Sequence, residues 1–221
     1  MSDTYFSCPI CKVPYRYQTI NGKTTYYCVK HKNRNNSKSQ APTNERYTPI
    51  KCSGWYYPTS NYKHNNHQLT QELLQNKSYN PEISHKIAND MFSKCRSLLT
   101  SNPFIIVPVP NYDSSYRAGV SIASELASIM KEHNPESRYV DALEKLTSIS
   151  AHTLPSWKKE EYWAKPVYRL IKSEEISGQR ILLIDDIQST GKTIFHCVKE
   201  LNKANPSKIY TYVAARTFHY T

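Results

Sequence analysis

An α/β fold, built on an open, mostly parallel sheet with helices on both faces and preceded by a small cysteine-rich module, is what this sequence predicts. Three observations carry the expectation. Two short continuous apolar runs, "FIIVPVP" (104–110) and "RILLIDD" (180–186), have the composition of strands covered on both faces. Other segments repeat their apolar residues at helical spacing. The two kinds alternate along the chain, which points to a parallel sheet with crossover helices.

Composition divides the chain into residues 1–66 and 67–221. The first part is rich in Tyr, Lys, Asn and Cys and poor in aliphatic residues, and its run 30–46 is polar throughout and expected to be a loop. In the second part, Asn80 and Pro81 are a cap and first position for a helix that turns Ile83, Ile87, Met91, Cys95 and Leu98 inward. The strand 104–110 follows, and then a helix over 117–133 with Ala123, Leu126, Ala127 and Met130 inward. "KPVYRLI" (165–171) is expected as a further strand, and 180–186 as the strongest one. The helix 192–204 faces Ile194, Cys197, Val198 and Leu201 to the core, and 208–217 closes the chain as a strand. Cys95 and Cys197 are expected in the core, and His64 and His67 at the surface.

The 221 residues are enough for one good core and a small appendage. A formal net charge of +11 favours polyanionic partners, either nucleic acid or a phosphate-rich small ligand; a basic surface without such a partner is the plain alternative. There is no membrane-spanning apolar run, and the start of the chain does not have the form of a secretory signal. A cytoplasmic, reducing location is therefore expected, with the six cysteines as metal ligands or buried thiols.

Cys8 and Cys11, then Cys28 and His31, form a C-x2-C-x16-C-x2-H pattern. Each pair makes a tight turn that aims two donors at one ion, which suits a structural, tetrahedral Zn²⁺. Cys52 is the rival for the fourth ligand. The same region interleaves aromatics and cations (Tyr15, Arg16, Tyr17, Lys23, Tyr26, Tyr27, Lys30, Lys32, then Trp55, Tyr56 and Tyr57). They can stack single-stranded bases and track a phosphate chain, or pack around the metal in place of aliphatic residues.

The stretch "ILLIDDIQSTGKTI" (181–194) carries the chemistry. Gly191-Lys192-Thr193 has the ending of a triphosphate-binding P-loop. That loop needs a glycine five positions before Gly191, and Asp186 stands there, adding a side chain and a negative charge where phosphates should approach backbone. Another ligand fits both halves. At the carboxyl end of a parallel strand, Asp185 and Asp186 can accept hydrogen bonds from a vicinal diol. Gln188, Ser189, Thr190, Gly191, Lys192 and Thr193 then open a helix whose free amides suit one phosphate monoester. A diol at one end and a monophosphate at the other describe a ribose 5-phosphate unit.

The order Ile184-Asp185-Asp186-Ile187-Gln188-Ser189-Thr190-Gly191-Lys192-Thr193 resembles the phosphoribosyl-pyrophosphate (PRPP) loop of type I phosphoribosyltransferases. The wider chain resembles the ComF family, competence-associated proteins with a cysteine-rich zinc module before a phosphoribosyltransferase domain. Val107-Pro108-Val109-Pro110, Arg117-Ala118-Gly119-Val120-Ser121, the strand after Gly178-Gln179-Arg180, and Ala215-Arg216-Thr217 stand where that family has its matching elements. Relative to Gly119 the arginine lies one position early, and the family's Gln-x-x-Leu segment is not clear in 151–166.

The resemblance implies a type I phosphoribosyltransferase-like sheet and PRPP binding with Mg²⁺. Asp185, Asp186 and Arg117 would serve catalysis, and Arg117, Lys158 and Lys159 would stabilise the leaving pyrophosphate. Arg117 as an unliganded surface residue, and the two lysines as a solvated patch, are the plain readings beside it. Three functions are compatible: a transferase acting with single-stranded DNA in DNA uptake, a non-catalytic nucleic-acid-binding or adaptor protein that keeps the loop as sensor or relic, and a purine or pyrimidine salvage transferase.

Overall fold

The computed structural model describes residues 51–77, 80–111, 118–151 and 153–218, together with the strand backbones 16–20 and 23–27. Those two strands, β1 (Arg16–Ile20) and β2 (Lys23–Tyr27), form an antiparallel hairpin. The main sheet has five strands: β3 (Lys51–Tyr56), β4 (Ile105–Pro108), β5 (Arg138–Tyr139), β8 (Arg180–Gln188) and β9 (Lys208–Thr217). Their order is β3-β9-β8-β4-β5, and every pair is parallel. The expected α/β architecture is therefore present.

Alternation along the central strands divides the core in two. Ile105, Val107, Ile181, Leu183, Ile209 and Val213 face one layer. That layer contains the helices α5 (Ser173–Ile176) and α6 (Lys192–Leu201) and the pair β6 (Leu143–Lys145) and β7 (Tyr168–Leu170). Ile106, Leu182, Ile184 and Tyr212 face the other layer, built from α1 (Gln68–Asn76), α2 (Pro81–Ser101) and α3 (Ala118–His133). The expected inward residues of α3 and α6 are all buried, as are Cys95 and Cys197. On α2, Asn80 caps as expected, its side chain accepting from the Ile83 amide at 3.3 Å, with Pro81 at the first position. Ile87, Met91 and Cys95 are buried, Ile83 and Leu98 are half-buried, and Leu99 completes the stripe.

Three expectations need correction. The segment 165–171 does not enter the parallel sheet: β7 pairs antiparallel with β6 in a separate two-stranded unit. Its burial explains this, since Tyr168 is buried and Arg169 exposed, a one-sided pattern that suits an antiparallel pair. The strand expected at 180–186 runs on to Gln188, because the ten-residue β9 offers partners that far, with Ile187 opposite Ala215 and Gln188 opposite Arg216.

β3, which precedes residue 66, is hydrogen-bonded along β9. His64 and His67 are half-buried and have structural roles. The His64 Nδ1 lies 2.7 Å from the Tyr57 carbonyl oxygen, and the His67 Nδ1 accepts from the Thr70 amide at 3.3 Å, capping α1. Burial, with Lys63 nearby, pushes the His67 pKa down and keeps that ring an acceptor.

No helix among the described residues is long and apolar enough to cross a membrane. The nine-residue helix α4 (Ser156–Ala164) packs over the β8–α6 turn through Lys159 and Trp163.

Candidate functional site

The two crossovers of the sheet leave in opposite directions. From β4 the chain passes through α3 to β5 on one side, and from β8 through α6 to β9 on the other. The strand order therefore switches between β4 and β8, and a crevice opens beyond their carboxyl ends, where open α/β sheets bind ligands. Asp185 to Thr193 lie at that end of β8.

The diacid is held by its own backbone. Asp185 Oδ1 accepts from the Asp186 amide at 3.0 Å, and Asp186 Oδ1 accepts from the Ile187 amide at 2.6 Å. The first turn of α3 rests on it: a β-carbon at Gly119 would stand 3.6 Å from the Asp186 nitrogen and 3.8 Å from Asp185 Oδ1. That leaves ordinary contact room for a methyl and little for anything larger. Burial, then the adjacent Asp186 carboxylate, holds the Asp185 carboxyl well above the usual carboxylate range. Asp186 in turn helps burial raise the Tyr56 phenol, which places the end of β3 in the same electrostatic neighbourhood.

After the diacid the chain makes a turn that only glycine suits. Gly191 has φ +78° and stands at the N-cap of α6, where a β-carbon would lie 2.7 Å from Gln188 Nε2. Glycine brings no side-chain acceptor, so α6 starts without a side-chain cap. Its first-turn amides carry the positive end of the helix dipole and suit an anion. The Lys192 amide is only loosely engaged, 3.5 Å from Thr190 Oγ1. Gln188 is 7 % exposed, and its Oε1 has no hydrogen-bond partner among the described residues. A buried carboxamide in that state gains from a ligand or water that reaches it.

A cavity of about 100 Å³ lies over this turn, lined by Asp185, Gln188, Ser189, Thr190, Gly191 and Thr193, and closed by Lys159 and Trp163 of α4. The volume suits a phosphate-sized group and is well below the few hundred Å³ of a whole-ligand pocket. One contact holds the cover in place: the Trp163 ring stacks on His196 of α6, with centroids 4.9 Å apart. Tyr168 of β7 lies beside Thr193 under the same turn. Burial pushes the Tyr168 phenol far up, so it is a neutral hydroxyl at any working pH.

A diol-sized acceptor pair beside an anion cradle, at the switch point of a parallel sheet, narrows the family. Residues 75–221, about two thirds of the chain, match the family described as phosphoribosyl transferase domain. The chain belongs to that family. Among solved structures it is similar to adenine phosphoribosyltransferase from Saccharomyces cerevisiae, at 12% identity and a TM-score of 0.42, over 63% of this chain and 70% of that one. A hypoxanthine phosphoribosyltransferase from Staphylococcus aureus gives 13% identity and 0.41, over 67% and 82%. Adenine phosphoribosyltransferase from Thermoanaerobacter pseudethanolicus gives 18% and 0.36, over 59% and 79%. No curated protein sequence matches the chain.

Within this phosphoribosyl transferase domain, the expected loop residues gather at one place. Asp185, Gln188, Ser189, Thr190, Gly191 and Thr193 line the cavity together, whereas Asp186 is not part of its lining and the Lys192 side chain is exposed outside it. Lys158 and Lys159 are separated: Lys159 joins the cavity, while Lys158 Nζ lies 4.9 Å over the Trp157 ring. Arg117, Cys8, Cys11, Cys28 and His31 lie outside the described residues. Cys52 is exposed on β3, and no group of three or more His, Cys, Asp or Glu residues is placed to hold a metal among the described residues. Sequence reasoning missed Trp163 and Tyr168. Trp163 was readable as the residue one turn after Lys159, but the approach of Tyr168 to Thr193 had no local signal.

The raised Asp185 pKa sets a pH dependence for the phosphoribosyl transferase domain. The folded chain keeps this proton at pH values where the unfolded chain, with an ordinary value near 3.8, has lost it. Stability therefore falls as pH rises from about 4 through the folded-state value. Urea unfolding between pH 4 and 8 should show this decline in the wild type and a shallower one in Asp185→Asn. Parallel curves would mean that Asp185 titrates normally.

Proposed function

We propose that this domain binds PRPP with magnesium through Asp185–Thr193 and transfers the phosphoribosyl group to an acceptor. The observation that carries the reading is the diacid placed directly before an uncapped, glycine-started helix at the switch point. The carboxylates of Asp185 and Asp186 accept from the ribose 2- and 3-hydroxyls. The amides of α6 and the hydroxyls of Ser189, Thr190 and Thr193 hold the 5-phosphate.

In the transfer, the bond from the anomeric carbon to the pyrophosphate oxygen breaks, and pyrophosphate leaves with the electron pair. The sugar carbon gains oxocarbenium character, and the acceptor bonds to it from the opposite face. Lys159, in the wall of the cavity, supplies positive charge near the phosphates, and Arg117 is the cation we assign to the loop after β4. Asp185 and Asp186 would hold a magnesium ion, which would supply positive charge for the leaving pyrophosphate. Calorimetry with PRPP and Mg²⁺ tests the reading. Saturable binding is expected, and no heat of binding to the intact chain would overturn it.

The finer assignment is a ComF-like protein that acts with single-stranded DNA in a reducing, cytoplasmic setting. It is supported by the net charge of +11 and by the aromatic and basic residues of the first 66 positions. Gel shifts with a single-stranded oligonucleotide should weaken steeply between low and physiological salt, as phosphate contacts require. A salt-independent shift, or none, speaks for a domain that works on small molecules alone. In the same assignment Cys8, Cys11, Cys28 and His31 hold one structural zinc. Metal analysis should find roughly one Zn²⁺ per chain, less than half of that in Cys8→Ser and His31→Ala, and no change in Cys52→Ser. Loss in Cys52→Ser with His31→Ala unaffected would exchange the fourth ligand.

A further inference from the structure

A second, larger cavity of about 460 Å³ lies on another side of α4, within the 300–1,000 Å³ typical of small-molecule sites. Leu146, Ile149, Leu154 and Val167 give it an apolar lining. Leu146 and Ile149 are 42 % and 50 % exposed, so this apolar surface meets water at the mouth. Charge is confined to α4. Lys165 is paired with Glu161 at 2.9 Å, while Lys158 also lines the cavity and makes no ion pair among the described residues. The site therefore offers an apolar slot with one net positive charge at its edge.

The two cavities use different faces of one helix. Lys159 and Trp163, one turn apart, close the phosphate cradle. Lys158, Glu161, Tyr162 and Lys165 line the second cavity. At 3.6 residues per turn the two groups point roughly 130° apart. The helix is anchored by Tyr162 and Trp163, which pack against the core. It starts after Pro155 without a side-chain cap, and its neighbouring rings hold it from opposite directions: Trp163 on His196, and the Tyr162 hydroxyl donating to the Ile149 carbonyl at 3.2 Å.

We propose that this cavity is a second small-molecule site, separate from the phosphate cradle, for an aromatic or other apolar ring carrying one acidic group that meets Lys158. Because Tyr162 and Trp163 are consecutive, an occupant that shifts Tyr162 also shifts the wall of the phosphate cradle. The two ligands are then linked, each altering the other's affinity by the same factor.

Anilinonaphthalene sulfonate, an aromatic ring system with one sulfonate, is a suitable probe. Fluorescence titration of the full chain should show saturable binding. Lys158→Glu should weaken it roughly fivefold or more, the size expected for reversing one charge at a partly desolvated contact. Thr147→Trp, which fills the cavity, should weaken it at least as much. Tyr62→Ala, which removes an exposed ring on another part of the chain, should leave it unchanged.

Circular dichroism of each variant must match the wild type, and if one variant misfolds the other decides. Equal binding by wild type and both cavity variants overturns the site. The linkage is read as a change of about threefold or more in the affinity for PRPP with Mg²⁺ when the dye is saturating; identical affinities overturn it. If PRPP does not bind even without dye, the phosphoribosyl reading fails, while the dye titration still decides the second site.

Discussion

Asp185→Asn together with Asp186→Asn should lower the affinity for PRPP and Mg²⁺ by roughly 100-fold or more without unfolding the domain. A hydrogen bond to a charged acceptor contributes about 1.5–3 kcal/mol, so losing two corresponds to about 3–6 kcal/mol, and each 1.4 kcal/mol is tenfold. Asparagine keeps the oxygen that accepts from the Asp186 and Ile187 amides, so the local backbone bonds survive. It also removes the strained proton balance at Asp185, whose carboxyl is held above its usual range by burial and by Asp186. The double variant should therefore be at least as stable as the wild type at neutral pH while failing to bind. Calorimetry beside urea unfolding separates the two effects. A variant that binds as tightly as the wild type would remove the diacid from the site.

Gly191→Ala is expected to damage both fold and site. An L-residue in this left-handed conformation costs about 1–2 kcal/mol, and here φ is +78°. The new methyl would also press on Gln188 Nε2, 2.7 Å away, at a side chain that is almost wholly buried. Gly178 provides the internal control: its φ is +68°, but nothing lies within 4 Å of its added carbon. Gly178→Ala should cost only the backbone share, and Gly191→Ala about 1 kcal/mol more. Combining Gly191→Ala with Gln188→Ala should recover the steric share alone. Ligand affinity should drop at least about tenfold in Gly191→Ala, because the amides of the first helical turn no longer converge. Equal unfolding midpoints for the two alanine variants would show that Gln188 yields freely.

Much of this was readable from the chain because it is locally encoded. The apolar runs at 104–110 and 180–186 are strands since no other element buries both faces so economically. The Asn80–Pro81 start of α2 and the inward stripe of α6 follow from capping chemistry and periodicity. The loop was legible for the same reason: diacid, turn glycine and helix start are consecutive. What escaped depends on partners distant in sequence. β3 joins β9 across more than 150 positions, and nothing in "KCSGWY" announces that neighbour. The strand 165–171 has a plausible composition, but its exposure on one side was set by α6 and β6. Lys158 and Lys159 look equivalent in sequence, and only the rotation of α4 distinguishes them.

The placement of β3 bears on where the domain can be cut. The family match begins at residue 75, yet β3 (Lys51–Tyr56) covers one side of β9 from Tyr212 to Thr217. A fragment trimmed to the family boundary would leave that row of backbone donors and acceptors bare, an open template for pairing with other copies. It would also release Lys94, whose ammonium donates to the Ser53 carbonyl, and the Ser53–Tyr212 hydroxyl pair. Expression fragments should therefore start before Lys51. Poor solubility of a shorter one would reflect a missing strand and not a defect of the phosphoribosyl transferase domain itself.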